Sequence, residues 1–184
     1  MRHISENDCK IMAYHEAGHA VVGVFLPAAG GVEKVTIASG RISGYTVIPK
    51  KAIRGLLTSK SVKEIIAVLL AGMAGEKIAT DDVSNGSQSD IKMANSLARQ
   101  MVERFGMGER FGLRCSRRFL SSESLAIVDE DVYDILEASY KIAFRVLAEH
   151  RPEFMGVAER LMEGKTLRRK ELQSLVGAEA PIRQ

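Results

Sequence analysis

The 184-residue chain is poor in cysteine: Cys9 and Cys115 stand far apart and form no CxxC pair. Its N-terminus, MRHISENDCK, lacks the apolar core of a signal peptide, so a reducing, cytoplasmic setting is expected. No long hydrophobic run is present. The longest apolar stretch, around IIAVLLAGMAG (65–75), falls well short of the roughly 20 residues a membrane span needs, so no span is expected. Charge of one sign is also missing. Lys plus Arg number 26 against 23 Asp plus Glu, and a net +3 is too small to argue for nucleic acid or an anionic membrane as a partner. There are no internal repeats and no low-complexity tracts. What is present is 46% hydrophobic residues, enough to bury a real core in one domain.

Hydrophobic periodicity predicts a mainly α (α+β) protein. Apolar residues recur at helical spacing from Asp8 to Leu26, and Pro27 ends the run. Val32, Val35 and Ile37, then Ile42, Tyr45, Val47 and Ile48, form two β-type runs around Ser39-Gly40-Arg41, which predicts a hairpin closed by Pro49 and a small sheet beside the first helix. Ser61 and Glu64 have capping-box spacing and lead into an apolar face of Val62, Ile65, Ile66, Leu69, Leu70 and Met73. Residues 80–89 read as a polar loop, and helical spacing resumes from Ile91 to Phe105. Residues 106–121 hold three glycines and the basic cluster Arg114, Arg117 and Arg118, and read as a mobile surface loop. Beyond them a long helix is expected from Ser122 to His150, a shorter one opened by Pro152, and a last short one with Leu172 and Leu175.

The stretch MAYHEAGHAV (12–21) carries the chemistry. Residues four apart on a helix face the same way, so His15 and His19 can both turn a ring nitrogen to one zinc ion. Glu16, one position after the first histidine, is placed off the metal but close enough to act as general base toward the attacking water. Gly18 is costly inside a helix, by roughly 1 kcal/mol relative to Ala, and so hints that another element packs tightly there. Catalytic zinc usually takes three protein ligands, so a third is required. His3 and His150 have no spaced partner and read as ordinary surface or helix-end residues. Asp90, opening a helix after a polar loop, competes with Glu76, Asp81 and Asp82, and residue chemistry alone puts it only slightly ahead.

Several motifs together resemble the peptidase domain of the FtsH family of AAA+ zinc metalloproteases: AYHEAGHAVVG (13–23), GYTVIP (44–49), LLAGMAGEKI (69–78), SNGSQSDIKMANSLARQMVERFGMGE (84–109) and KTLRRKELQSLV (165–176). The resemblance covers nearly the whole chain. It implies a helical metallopeptidase fold over residues 1–184, with the metal site and small sheet in 1–121 and a helical part in 122–184. It further implies zinc held by His15, His19 and Asp90, Glu16 as catalytic base, and a supporting role for Glu76. By the same resemblance Gly44, Tyr45, Thr46 and Val47 receive unfolded polypeptide as an added strand. Implied partners are unfolded substrates, an AAA+ ATPase part outside this chain, and further copies in a six-membered ring. The implied place is the cytoplasmic face of the inner membrane, if the chain is part of a full-length protein of this type.

Two departures stand out. The chain starts about a dozen residues before HEAGH, which leaves no room for the family's membrane anchors and ATPase, and AGMAGEKI replaces the family's GGRAAEE. Gly164-Lys165-Thr166 looks like half a phosphate-binding loop, but Glu159 stands where its first glycine is needed, so ATP binding by this chain is rejected. The expected activity is zinc-dependent endopeptidase action on unfolded polypeptides. The competing expectation is a non-proteolytic assembly module that keeps the fold and the metal.

Overall fold

The computed structural model describes residues 5–26, 28, 30–37, 44–47, 56–115 and 120–177. Helix α1 spans Glu6–Phe25, opened by a reciprocal cap in which Ser5 Oγ accepts from the Asp8 amide and the Asp8 carboxylate accepts from the Ser5 amide. Strands β1 (Lys34–Ile37) and β2 (Gly44–Val47) follow, then helices α2 (Ser59–Thr80), α3 (Gln88–Glu103), α4 (Ser122–Glu149) and α5 (Arg151–Gly164), strand β3 (Thr166–Arg168) and helix α6 (Arg169–Val176). The protein is thus mainly helical with one small sheet, as its periodicity predicts. Pro27, the hairpin tip at Ser39-Gly40-Arg41 and Pro49 lie outside the described residues.

The sheet runs β2-β1-β3, antiparallel throughout. β1 and β2 are the two predicted arms. β3 was not foreseen: a three-residue strand carries too little alternation to be read from sequence. It pairs Leu167 with Val35, and both side chains are buried. Gly164-Lys165-Thr166 closes α5 and enters β3, the reverse of the strand-to-helix order that a phosphate loop requires.

α2 starts one turn earlier than its predicted cap. Thr58 Oγ1 accepts from the Ser61 amide and Ser61 Oγ accepts from the Thr58 amide, so Ser61 closes a capping box that Thr58 opens. Glu64, freed of capping, is buried and accepts from the Ala28 amide at 3.0 Å. Two apolar clusters share α2 as their common wall. One gathers α1, β1, β3, α5, α6 and the C-terminal part of α4; the other gathers α3, the earlier part of α4 and residues just beyond α3. α1 is buried on almost every face from Ala13 to Val24, which its alanines, glycines and valines permit.

The segment 106–115 departs from its expected character as a mobile surface loop. It is irregular, but Phe111 is only 2% exposed and belongs to the second core cluster. Buried Asp131 of α4 accepts from the backbone amides of Arg110 and Phe111 and from the Arg110 guanidinium, which fixes the turn. Gly106 and Gly112 supply the positive φ values that bring the chain back on itself. Arg114 stays exposed with its guanidinium over the Phe111 ring; Arg117 and Arg118 lie outside the described residues. Phe111→Ala should therefore lower stability by about 3–5 kcal/mol in urea denaturation. Leu113→Ala, fully exposed two residues away, should change it by no more than about 0.5 kcal/mol.

Candidate metal centre

Their spacing sets His15 and His19 on one face of α1, and that face looks onto α2. His19 Nδ1 lies 2.7 Å from the Val68 carbonyl oxygen. A carbonyl can only accept, so this nitrogen carries the hydrogen and Nε2 is left with a lone pair. His15 Nδ1 donates in the same way to Glu76 Oε1 at 2.7 Å. The two Nε2 atoms then face each other at 3.1 Å. Asp90, in the first turn of α3, brings its Oδ2 to 3.2 Å from His15 Nε2 and 3.5 Å from His19 Nε2. Three atoms able to act as ligands converge on one point, an arrangement stable only around positive charge, whether a proton on a ring nitrogen or a cation between them.

The donor set fits zinc. Atoms held about 2.0–2.2 Å from a common centre at tetrahedral angles lie roughly 3.3–3.6 Å apart, close to the separations found here. Two imidazoles and one carboxylate leave a fourth position open, and the ring nitrogens turned away are tied down by Glu76 and Val68 as zinc-site histidines usually are. Gly72 of α2 makes room: a Cβ there would collide with His15 Cε1 and with Nε2 of both rings. The same charge pattern governs protonation. Burial disfavours the charged ring of His15, but the hydrogen bonds it donates to Asp90 and Glu76 outweigh it and raise its pKa to about 9. Burial works against ionised Asp90 as well, yet His15 and His19 hold its carboxyl well below the usual carboxylate range.

The rival carboxylates separate cleanly. Glu76 is almost wholly buried and serves the ring of His15, not the convergence point; its Oε2 accepts from the Ser84 amide at 2.5 Å. Burial opposes its charge, but His15 and Ser84 together lower its pKa. Asp81 caps α2 in the left-handed region and pairs with Lys77 on the surface, and Asp82 is exposed beside it. His150, at the junction of α4 and α5, stacks on Phe25 with ring centroids 3.7 Å apart. His3 lies outside the described residues.

Glu16 sits on a different side of α1 and is only 5% exposed. Its carboxylate lies against β2, where Thr46 Oγ1 donates to Oε2 at 2.8 Å. Burial raises its pKa, while His19, Thr46 and His15 work the other way. On β2, Tyr45 is half exposed and its hydroxyl accepts from Lys34 Nζ at 3.1 Å; Val47 pairs with Lys34 in the ladder.

Residues 2–175 match the model of Peptidase family M41. The chain belongs to peptidase family M41. Among the relatives of this M41 domain, the ATP-dependent zinc metalloprotease FtsH 2 of Sphaerobacter thermophilus is 37% identical, over 100% of this chain and 29% of the relative. The ATP-dependent zinc metalloproteases FtsH 3 of Petrotoga mobilis and of Symbiobacterium thermophilum are each 35% identical, over 95% and 99% of this chain and 30% and 32% of the relatives. The M41 domain thus spans about a third of the length of these curated relatives. Among its described residues no helix is long and apolar enough to cross a membrane.

Residue chemistry alone named Glu76 but could not distinguish its part in this M41 site from that of Asp90, because both are carboxylates near a helix end; only the family resemblance separated them. It had no signal for the Val68 carbonyl. Glu76→Ala should weaken zinc binding about 10–100-fold in a chelator competition, since it frees the ring of His15. Asp81→Ala should leave zinc affinity unchanged.

Proposed function

We propose that this M41 domain is a zinc endopeptidase that cleaves unfolded polypeptides, with His15, His19 and Asp90 as metal ligands and Glu16 as general base. The observation that carries this is the convergence of His15 Nε2, His19 Nε2 and Asp90 Oδ2, their ligand atoms all lying within 4.8 Å of one another, with a buried glutamate on the adjoining position of the same helix. Zinc, when bound, supplies Lewis acidity to the scissile carbonyl and to the attacking water. Glu16 takes the proton from that water and passes it to the departing amine. Its burial favours this exchange, because a carboxylate with a raised pKa accepts and returns a proton more evenly near neutral pH.

Gly44, Tyr45, Thr46 and Val47 form the outer strand of the sheet, next to α1, and among the described residues no strand pairs with the far side of β2. An extended substrate added there is held through its main chain, which tolerates many sequences. Residues 1–184 then act as one peptidase unit, with the metal site in 1–121 and the helical part in 122–184. By the resemblance to the FtsH family, an ATPase part outside this chain delivers the substrate, copies assemble into a six-membered ring, and the unit works on the cytoplasmic side of a membrane; the relatives' name as ATP-dependent proteases supports the first of these.

Glu16→Gln should retain zinc by elemental analysis and lose at least about 100-fold in cleavage of unstructured casein. Asp90→Ala should lose the metal itself. An active Glu16→Gln, or Asp90→Ala with full zinc occupancy, would remove the respective residue from its role.

Peptide hydrolysis is downhill, so flexible substrates should be cut without ATP. A folded substrate must first open, at a cost of about 5–15 kcal/mol, and should largely survive. Matched folded and unfolded forms of one substrate, incubated with and without ATP, check this: acceleration by ATP, or equal loss of the two forms, contradicts it.

A further inference from the structure

The strand assigned to substrate binding also grips the residue assigned as base, and the two contacts come from one face of it. Residues two apart on a strand point the same way. Gly44 and Thr46 therefore both face α1, while Tyr45 between them is half exposed to solvent. At Gly44 the space of a missing side chain is filled by Glu16: a Cβ there would collide with its Cγ, Cδ and Oε1. At Thr46 the hydroxyl donates to Oε2 at 2.8 Å and lies 3.5 Å from the Glu16 backbone oxygen. The carboxylate is thus laid along β2 from Gly44 to Thr46. Thr46 thus fixes one carboxylate oxygen, Oε2, and Gly44 makes the room in which the other, Oε1, lies.

We propose that Thr46 is a positioning residue for peptide hydrolysis: its hydroxyl, with the gap at Gly44, holds the Glu16 carboxylate in the one orientation from which it accepts a proton. This rests on the reading of Glu16 as general base. A glutamate has three rotatable side-chain bonds, and without the hydroxyl its carboxylate samples other directions. Since β2 is the strand on which substrate is expected to pair, ordering of β2 by substrate and alignment of the base are one event.

The experiment compares zinc-loaded wild type, Thr46→Val, Thr46→Ser and Glu16→Gln on an unstructured peptide, with zinc content and thermal midpoint measured for each. Thr46→Val keeps shape and removes the donor. It is expected to lower kcat by about tenfold or more with KM within about twofold, at unchanged zinc content and midpoint. Thr46→Ser, which restores the donor, should recover most of kcat. In a crystal structure of Thr46→Val the Glu16 carboxylate should have left Gly44. The proposal is overturned by wild-type kcat in Thr46→Val, by a change confined to KM, by a Thr46→Ser as slow as Thr46→Val, or by an undisplaced carboxylate. If Thr46→Val does not fold, the Thr46→Ser kinetics are compared with Thr46→Ala: equal kcat in the two overturns it, and a faster serine variant supports it. Glu16→Gln separates the two readings, since its full activity would remove the base itself, whereas an inactive Glu16→Gln beside an active Thr46→Val removes only the positioning role.

Discussion

The distance between α1 and α2 governs the site. Gly18 packs where a Cβ would strike the Ala71 carbonyl oxygen, and Gly75 packs where one would come within 2.6 Å of the Tyr14 carbonyl oxygen. With two glycines facing across the seam the helix backbones approach more closely than larger residues permit. Only at that separation does the Val68 carbonyl reach one histidine ring and Glu76 the other. Gly72, on the same helix as Gly75, then leaves the hollow that the rings fill. The conformational cost of three glycines inside helices is accompanied by the close contact that ties the rings of His15 and His19 to Glu76 and the Val68 carbonyl.

Glu76 joins the two halves of the metal centre. One of its oxygens orients His15, and the other receives the amide of Ser84, in the loop that leads through a 3-10 turn at Asn85–Ser87 into α3 and Asp90. A buried charge of this kind is tolerated because each oxygen has a donor. The ring on α1 and the carboxylate on α3 are therefore not set independently: both are referred to one side chain on α2.

Much of this was legible in the residues. HEAGH announced its helix and the meeting of His15 with His19, and Gly18 announced the close seam, because a glycine amid good helix formers carries a definite cost. The arms β1 and β2 and the long α4 followed from period alone. What was not legible has physical reasons. Ser61 can open or close a capping box, so the start of α2 at Thr58 depended on a choice that spacing does not make. Phe111 sits among glycines and arginines without period, and its burial depends on Asp131, twenty residues away, capturing the backbone around it. Residue chemistry could not say which carboxylate lies near the two histidines, whereas tertiary structure brings Asp90 beside both rings, and β3 was too short to show any pattern. The FtsH resemblance supplied Asp90 where residue chemistry alone did not.

The sheet has a consequence for how the molecule is made. β1, at residues 34–37, takes its second partner from residues 166–168, and Thr36 hydrogen-bonds across that join to the Lys165 carbonyl and the Thr166 hydroxyl. A chain emerging from the ribosome presents HEAGH early and the closing strand late. Until the distant strand arrives, β1 has only β2 beside it, and a lone pair of strands is marginal in water. Completion of the sheet thus waits on a contact between residues more than 120 positions apart, the kind of pairing that slows folding most. The sheet beside α1, the helix of His15 and His19, is therefore complete only once residues 166–168 have been synthesised and brought back to β1.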